Sequence, residues 1–211
     1  MSTSANMQEQ FFSFLRQFVN ITTEEINNFL VPVIKMREFN KKQFIIRAGE
    51  VENYINFIGS GLIRKYYLYD NEERITQIAI EGHLVSSQES LYTRTPSEYY
   101  IEAIEPTTLV SIANEDLEKM FAQSHNLERM GRLIAIHTMV LIDKRQMSLI
   151  KQSPRDRFLN FVSNYPEIIQ RVPQKYLASF LNIKPETFSR FKHLIKTQKP
   201  ADKANQIGFH R

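Results

Sequence analysis

Between about residues 33 and 112 the apolar side chains return at every second position, and turn-forming groups cut the run at short intervals: Asn40-Lys41-Lys42, Ala48-Gly49-Glu50, Gly59-Ser60-Gly61, Asp70-Asn71-Glu72-Glu73, Glu81-Gly82 and Glu105-Pro106. A period of two belongs to strands with one buried face, and intervals this short leave room only for hairpin-like connections. The segment therefore predicts an antiparallel sandwich or barrel, with Gly49, Gly59, Gly61 and Gly82 at positions that want positive φ. Helical spacing holds on both sides of it, so the fold class is α+β. Ahead of it, residues 8–31 read as helical, with Phe11, Phe14, Leu15 and Phe18 on one face. Thr22 and Glu25 form a capping box before Ile26, Phe29 and Leu30, and these apolar positions read as core. Pro32 and the alternation from Val33 to Phe39 end that section.

Beyond the alternating segment, Asn114-Glu115-Asp116 opens a helical pattern that runs to about residue 150, with a break near Ser124-His125-Asn126. It carries two apolar seams. One holds Leu133, Ile136, Val140, Asp143, Met147 and Ile150; the other holds Leu127, Met130, Ile134, His137, Leu141 and Lys144. Two seams need two packing partners, which a second copy of the chain or the rest of one buried monomer can supply. Ser153-Pro154-Arg155-Asp156 then starts a fresh helix, capped by Ser153 and opened by Pro154, so Leu149 to Gln152 is a candidate hinge.

Residues 173–196, PQKYLASFLNIKPETFSRFKHLIK, read as two short helices joined by a tight turn. Tyr176, Leu177, Phe180 and Leu181 give the first an apolar face. Asn182 suits a left-handed turn residue, and Pro185 suits the first position of the second helix. Phe188, Phe191, Leu194 and Ile195 face inward there, which leaves Glu186, Thr187, Ser189, Arg190, Lys192 and His193 outside. A helix-turn-helix presents its second helix to the major groove in this way, although any small α-domain can contain a two-helix turn. Charge separates the two readings. Residues 151–211 hold 12 Lys and Arg against 4 Asp and Glu, whereas residues 1–150 hold 15 against 19. A net charge of +4 thus hides a basic C-terminal third, the footprint of a phosphate-binding module.

No cysteine is present, which excludes disulfides, thiolate zinc sites and cysteine-held iron–sulfur clusters. No apolar run has the length of a membrane span and no signal peptide opens the chain, so the expected address is the cytoplasm. An enzyme is not expected: no glycine-rich phosphate loop, nucleophile elbow or metal-binding histidine pair occurs.

Residues 181–191, LNIKPETFSRF, resemble the turn and recognition helix of the cyclic-AMP receptor and fumarate–nitrate regulator (Crp/Fnr) family. The pieces IIRAGE, INFIGSGLIRKYYLYD and ITQIAIEGHLV resemble that family's cyclic-nucleotide-binding β-roll, in the same order, so the resemblance covers roughly residues 10–196. It implies an N-terminal antiparallel β-roll with flanking helices (1–121), a long connecting and dimerisation helix (122–150) and a C-terminal helix-turn-helix domain (151–211). It also implies a homodimer on a near-palindromic DNA operator, with RNA polymerase as a further partner. Glu186 and Arg190 would read base edges with Thr187 and Ser189 beside them, and Lys175, Lys184, Lys192 and Lys196 would meet phosphates. Leu133, Ile136, Val140 and Met147 would form the dimer seam.

Two features depart from the family. Its nucleotide-binding members hold a cyclic phosphate with an Arg next to a hydroxyl residue, but here Ser97 and Glu98 stand at those positions, and a carboxylate repels a phosphate. Glu89 can fill the family's Glu role, and Arg94 is the nearest cation, on a loop tip where solvation is its ordinary state. The expected pocket, at Glu89, Arg94 and Glu98, is therefore an orphan for an unknown effector; no cofactor is expected, and cyclic AMP is not expected to bind. The family's wing hairpin finds little room, because the tail after Lys196 is polar, without alternation, and reads as frayed. A sensor or scaffold protein with a cyclic-nucleotide-like domain and a non-functional DNA module is the alternative.

Overall fold

A computed structural model describes residues 3–197, with the backbone alone for residue 3 and residues 195–197. The tail expected to fray therefore lies outside the described residues from position 198 onward, as do the side chains of Ile195 and Lys196. The chain divides into two compact units, residues 1–136 and 137–211.

The first unit is a two-sheet β-roll with helices on one outer face. Its strands are β1 (Lys35–Phe39), β2 (Phe44–Ile46), β3 (Tyr54–Ser60), β4 (Ile63–Tyr69), β5 (Glu72–Ala79), β6 (Leu84–Val85), β7 (Tyr100–Ala103) and β8 (Thr107–Ala113). One sheet runs β1-β8-β3-β6 and the other β2-β7-β4-β5, every pairing antiparallel. Alternation sorts the side chains. Phe39, Ile58, Leu109, Val85, Ile63, Ala79, Ile101 and Ala103 fill the space between the sheets. Phe57, Val110 and Ile112 point the other way, into a second cluster with the flanking helices.

Those helices are α1 (Thr3–Leu15), α2 (Thr23–Glu25), α4 (Asn114–Gln123) and the start of α5 (His125–Lys151), while a separate short helix, α3 (Gln88–Thr93), follows β6. The N-terminal helical section differs from its sequence pattern. It begins five residues earlier than expected, at Thr3, and is interrupted after Leu15; beyond the Thr22/Glu25 capping box it widens into a π turn over Ile26–Leu30. The sequence cannot show that widening, since Ile26 and Leu30 are buried in either geometry. Met7, Phe11, Leu15, Ile26 and Leu30 of this section meet Leu127, Met130 and Ile134 of α5, the second of the two seams.

Three of the four expected glycines have positive φ: Gly49, Gly61 and Gly82. At Gly61 (φ 107°) a Cβ would stand 2.3 Å from Thr107 Oγ1 and 2.7 Å from the Pro106 carbonyl oxygen, so no side chain fits. Gly59 is the exception. It continues β3 and is small because Met7 of α1 packs over it, where a Cβ would come within 2.9 Å. The β4–β5 connection instead uses Asp70 (φ 50°) and Asn71 (φ 60°) between paired Tyr69 and Glu72. Positive φ at both central residues is the pattern of a two-residue type I′ turn.

The second unit contains the rest of α5, then α6 (Pro154–Asn164), α7 (Pro166–Arg171), α8 (Gln174–Phe180), α9 (Pro185–Phe191) and a 3-10 turn over Lys192–Thr197. Ser153 caps α6 by accepting from the Asp156 N–H at 3.2 Å, with Pro154 in the first turn. Phe158 is the centre of its core, 5.2 Å from the Phe188 ring and 5.6 Å from Phe191. Helix α5 continues through Leu149 to Lys151, so the segment read as a hinge is helical except at Gln152. Among the described residues no strand follows Ala113, and none forms a wing.

Candidate nucleic-acid interface and effector pocket

Helices α8 and α9 meet through a turn of three residues after Leu181, in which Asn182 takes φ 51° as its residue type suggests. The turn is fastened from below by a residue the sequence reading missed. Arg157 of α6 is 8% exposed, and its guanidinium donates to the carbonyls of Leu181 (2.9 Å), Asn182 (3.0 Å) and Gln152 (2.7 Å). Arg145 of α5 adds a bond to the Phe180 carbonyl at 2.7 Å and lies over the Phe180 ring. Burial, and then the charge of Arg157, pulls Arg145 down to about 10. Two arginines thus hold carbonyls that the C-terminal end of α8 leaves without helical partners.

On that base α9 buries Phe188 and presents Glu186, Ser189 and Arg190 to solvent, with Thr187 half-buried. Glu186 and Arg190 stand one turn apart on one face. Arg190 Nη2 reaches Thr187 Oγ1 at 3.4 Å, a long contact that leaves most of its fork unused. Lys184, at the N-cap, makes no capping bond and is exposed, as is Lys175 in the first turn of α8. The helix departs from expectation at its end: α-helical bonding stops at Phe191, and Lys192 and Lys196 fall on the 3-10 turn, whose three-residue period carries them off the α9 spacing. His193 Nδ1 pairs with the Arg190 carbonyl there.

On α5, Leu133 is partly buried against the core, whereas Ile136 is 37% and Val140 38% exposed, with Met147 half-buried. Met139, Leu141, Ile142 and Ile150 are exposed as well. His137 lies among them; burial and then Lys144 lower its pKa.

The three residues expected at the effector pocket do not converge. Glu89, in the first turn of α3, and Glu98 are both exposed. Arg94 is exposed, as expected of a loop tip, but its guanidinium is engaged. It ends α3 in a left-handed conformation (φ 60°), and its guanidinium donates to the Glu52 carbonyl at 2.7 Å and to Asn53 Oδ1. Its donors therefore clamp α3 to the β2–β3 loop. Ser97 is buried, bonded through Oγ to Ser87 Oγ (2.8 Å) and the Tyr99 carbonyl (3.0 Å).

The cations inside the roll come from strands, where the sequence reading did not look. Lys65 of β4 is 7% exposed and points between the sheets; Nζ donates to the Ser86 carbonyl (2.9 Å) and Gln88 Oε1 (2.8 Å) and lies 4.3 Å from the Tyr99 ring centroid. Burial pulls it down to about 8, against the attraction of Glu52 and Glu89. Glu52 is buried, accepts from the Asn53 and Tyr54 N–H groups at 3.1 Å, and has its pKa raised chiefly by burial. Arg37 of β1 rests 4.3 Å from the Tyr54 ring centroid and 5.1 Å from Phe39. A parity argument could have flagged both cations. Arg37 is two residues from Phe39, and Lys65 two from Ile63, so each shares its strand face with an apolar core residue. Among the described residues no group of three or more His, Asp and Glu could hold a metal, and no helix is long and apolar enough to cross a membrane.

Residues 36–124 match the cyclic nucleotide-binding domain family. No curated protein sequence matches the chain. Among solved structures, FixK2 from Bradyrhizobium japonicum aligns with a TM-score of 0.65 at 19% identity, over 79% of this chain and 86% of its own. The c-di-GMP responsive global regulator CLP of Xanthomonas campestris aligns at 0.63 and 16%, over 86% and 97%. The catabolite activator protein of Thermus thermophilus aligns at 0.54 and 17%, over 86% of each chain.

Proposed function

We propose that this chain, which has the Crp/Fnr regulator fold with a cyclic nucleotide-binding-type domain at residues 36–124, is a DNA-binding transcriptional regulator that works as a homodimer in the cytoplasm. The observation that carries the reading is α9: a short helix buried through Phe188 and entered through a turn that Arg157 fastens at Leu181 and Asn182, with Glu186 and Arg190 exposed on one face. Arg forks onto guanine and Glu accepts from cytosine N4, so the pair is chemically complete for major-groove readout. Lys175 and Lys184 flank it with phosphate-binding charge. Dimerisation rests on the exposed apolar side chains of α5, Ile136, Val140 and their neighbours, which a second copy of the same helix would cover. RNA polymerase is a further partner that the family resemblance alone implies.

A gel shift with a random duplex over a salt series tests this. A DNA-binding dimer shifts the duplex with an affinity that falls steeply as salt rises, while a sensor or scaffold with an inactive DNA module shifts nothing.

A further inference from the structure

The roll opens at one end into a cleft of about 440 Å³ between β1, β2 and the loop entering β3, walled by Arg37, Ile45, Val51, Tyr54, Glu50 and Glu52. Its volume lies within the range of ordinary small-molecule sites. Arg37 shares a β1 face with Phe39, and Tyr54 shares a β3 face with Ile58, so both point toward the interior side of the sheet.

Arg37 is held but not satisfied. Its guanidinium stacks on Tyr54 and takes one long hydrogen bond, Nη1 to Asn56 Oδ1 at 3.4 Å. Asn56 is itself fixed by Ser111 Oγ at 2.7 Å and by its own bond to the Tyr54 carbonyl. An arginine carries five N–H donors, so among the described residues most of this fork has no acceptor. Glu52 is the buried carboxylate that acts on Arg37, and it also acts on Lys65, which Glu89 attracts as well. Glu52 accepts its hydrogen bonds from the Asn53 and Tyr54 N–H groups and makes none to Arg37, so the guanidinium stays open to the oxygens of a bound anion.

We propose that this cleft is the effector site and that its ligand is a small organic acid, a monocarboxylate with an apolar body, gripped by Arg37. The inference rests on the regulator reading for the word effector but not for the binding. A planar carboxylate matches the fork of Arg37 bidentately. Ile45, Val51 and the Tyr54 ring offer the body an apolar wall. Glu50 and Glu52 on the same wall disfavour a doubly charged phosphate. Arg94, tied to the loop at Glu52 and Asn53, serves as a structural clamp beside the site.

Calorimetry on the full chain decides it, with phenylacetate, its neutral amide, inorganic phosphate and cyclic AMP as probes. Phenylacetate should bind at least about tenfold more tightly than the amide, the loss expected when a charged hydrogen-bonded pair is removed, and phosphate and cyclic AMP should give no heat. Arg37→Gln should lose that preference. Glu50→Gln, which keeps the acceptor for the Arg47 N–H but removes a like charge, should bind phenylacetate more tightly, giving a second readout if Arg37→Gln does not fold. No carboxylate preference, an unchanged preference in Arg37→Gln, no tightening in Glu50→Gln, or binding of cyclic AMP instead, overturns the proposal. Because no DNA is present, failure here leaves the gel shift untouched, and failure of the gel shift leaves the pocket intact.

Discussion

The guanidinium of Arg157 donates to the carbonyl of Asn182 at 3.0 Å, and Asn182 is the residue whose φ of 51° turns α8 into α9. A buried charge on one helix thus sets the entry of another, since the neighbouring Leu181 and Gln152 carbonyls are bound by the same group. Arg157→Ala should strip those carbonyls of their donor and destabilise the C-terminal unit by about 2–4 kcal/mol, given the worth of hydrogen bonds to charged groups. Urea unfolding followed by circular dichroism measures it. Arg157→Lys should recover only part, because an ammonium cannot span separate carbonyls as a fork does. A change under about 0.5 kcal/mol, the size of an ordinary surface substitution, would mean the turn stands without it.

On the proposed reading Arg190 forks onto a guanine. Arg190→Ala should cost about 1–3 kcal/mol per half-site at one base position and leave random-duplex binding nearly intact. Lys184→Ala should weaken all sequences alike and lower the salt slope by about one unit. Selection from randomised duplexes separates them. Recovery of one and the same motif by wild type and Arg190→Ala removes α9 from base reading.

Ile136 and Val140 are each a little over a third exposed on α5. If a second copy covers them, Ile136→Glu or Val140→Glu should move the protein from dimer to monomer on a sizing column, with DNA binding lost in parallel. A variant that elutes unchanged puts the dimer seam elsewhere.

Lys65 gives a pH signature. Burial holds it at about 8 against an ordinary 10.5, so between those values the unfolded chain keeps a proton that the folded chain has released. Its contribution to stability therefore rises with pH across that window and is lost as pH falls through about 8. Melting curves of wild type and Lys65→Met from pH 7 to 10 should show the difference moving in favour of the wild type. A pH-independent difference means that Lys65 titrates as an exposed lysine.

What the sequence disclosed and what it hid divide by range. Thr22 with Glu25, Ser153 with Asp156, Asn182 and Pro185 act on neighbours within a turn, and their residue types announce the geometry. Lys65 against Ser86, Arg94 against Glu52, and Arg157 against Leu181 join residues far apart in the chain, through strand register and helix packing. A charged residue within an alternating strand reads as solvent-facing unless its parity is followed to a core neighbour, which is why Arg37 and Lys65 are not legible as inward-facing charges. The short α9 was hidden for a different reason: Phe188, Phe191 and Leu194 fit an α-helix and a tightening 3-10 turn equally well.

The Asp70–Asn71 turn bears on how quickly the roll is made. Both residues already occupy the backbone region that a right-twisted hairpin needs, so β4 and β5 can zip together from the turn, an event of about 1–10 μs in isolated hairpins. β1 must instead find β8, Lys35 opposite Ser111, and that search carries the loop-closure entropy of nearly the whole domain. The hairpin is accordingly the natural nucleus. Asn71→Gly, which eases positive φ, should accelerate refolding in stopped-flow experiments and leave the unfolding rate nearly unchanged. Slower unfolding with unaltered refolding would mean instead that the rate-limiting barrier is crossed before this turn closes.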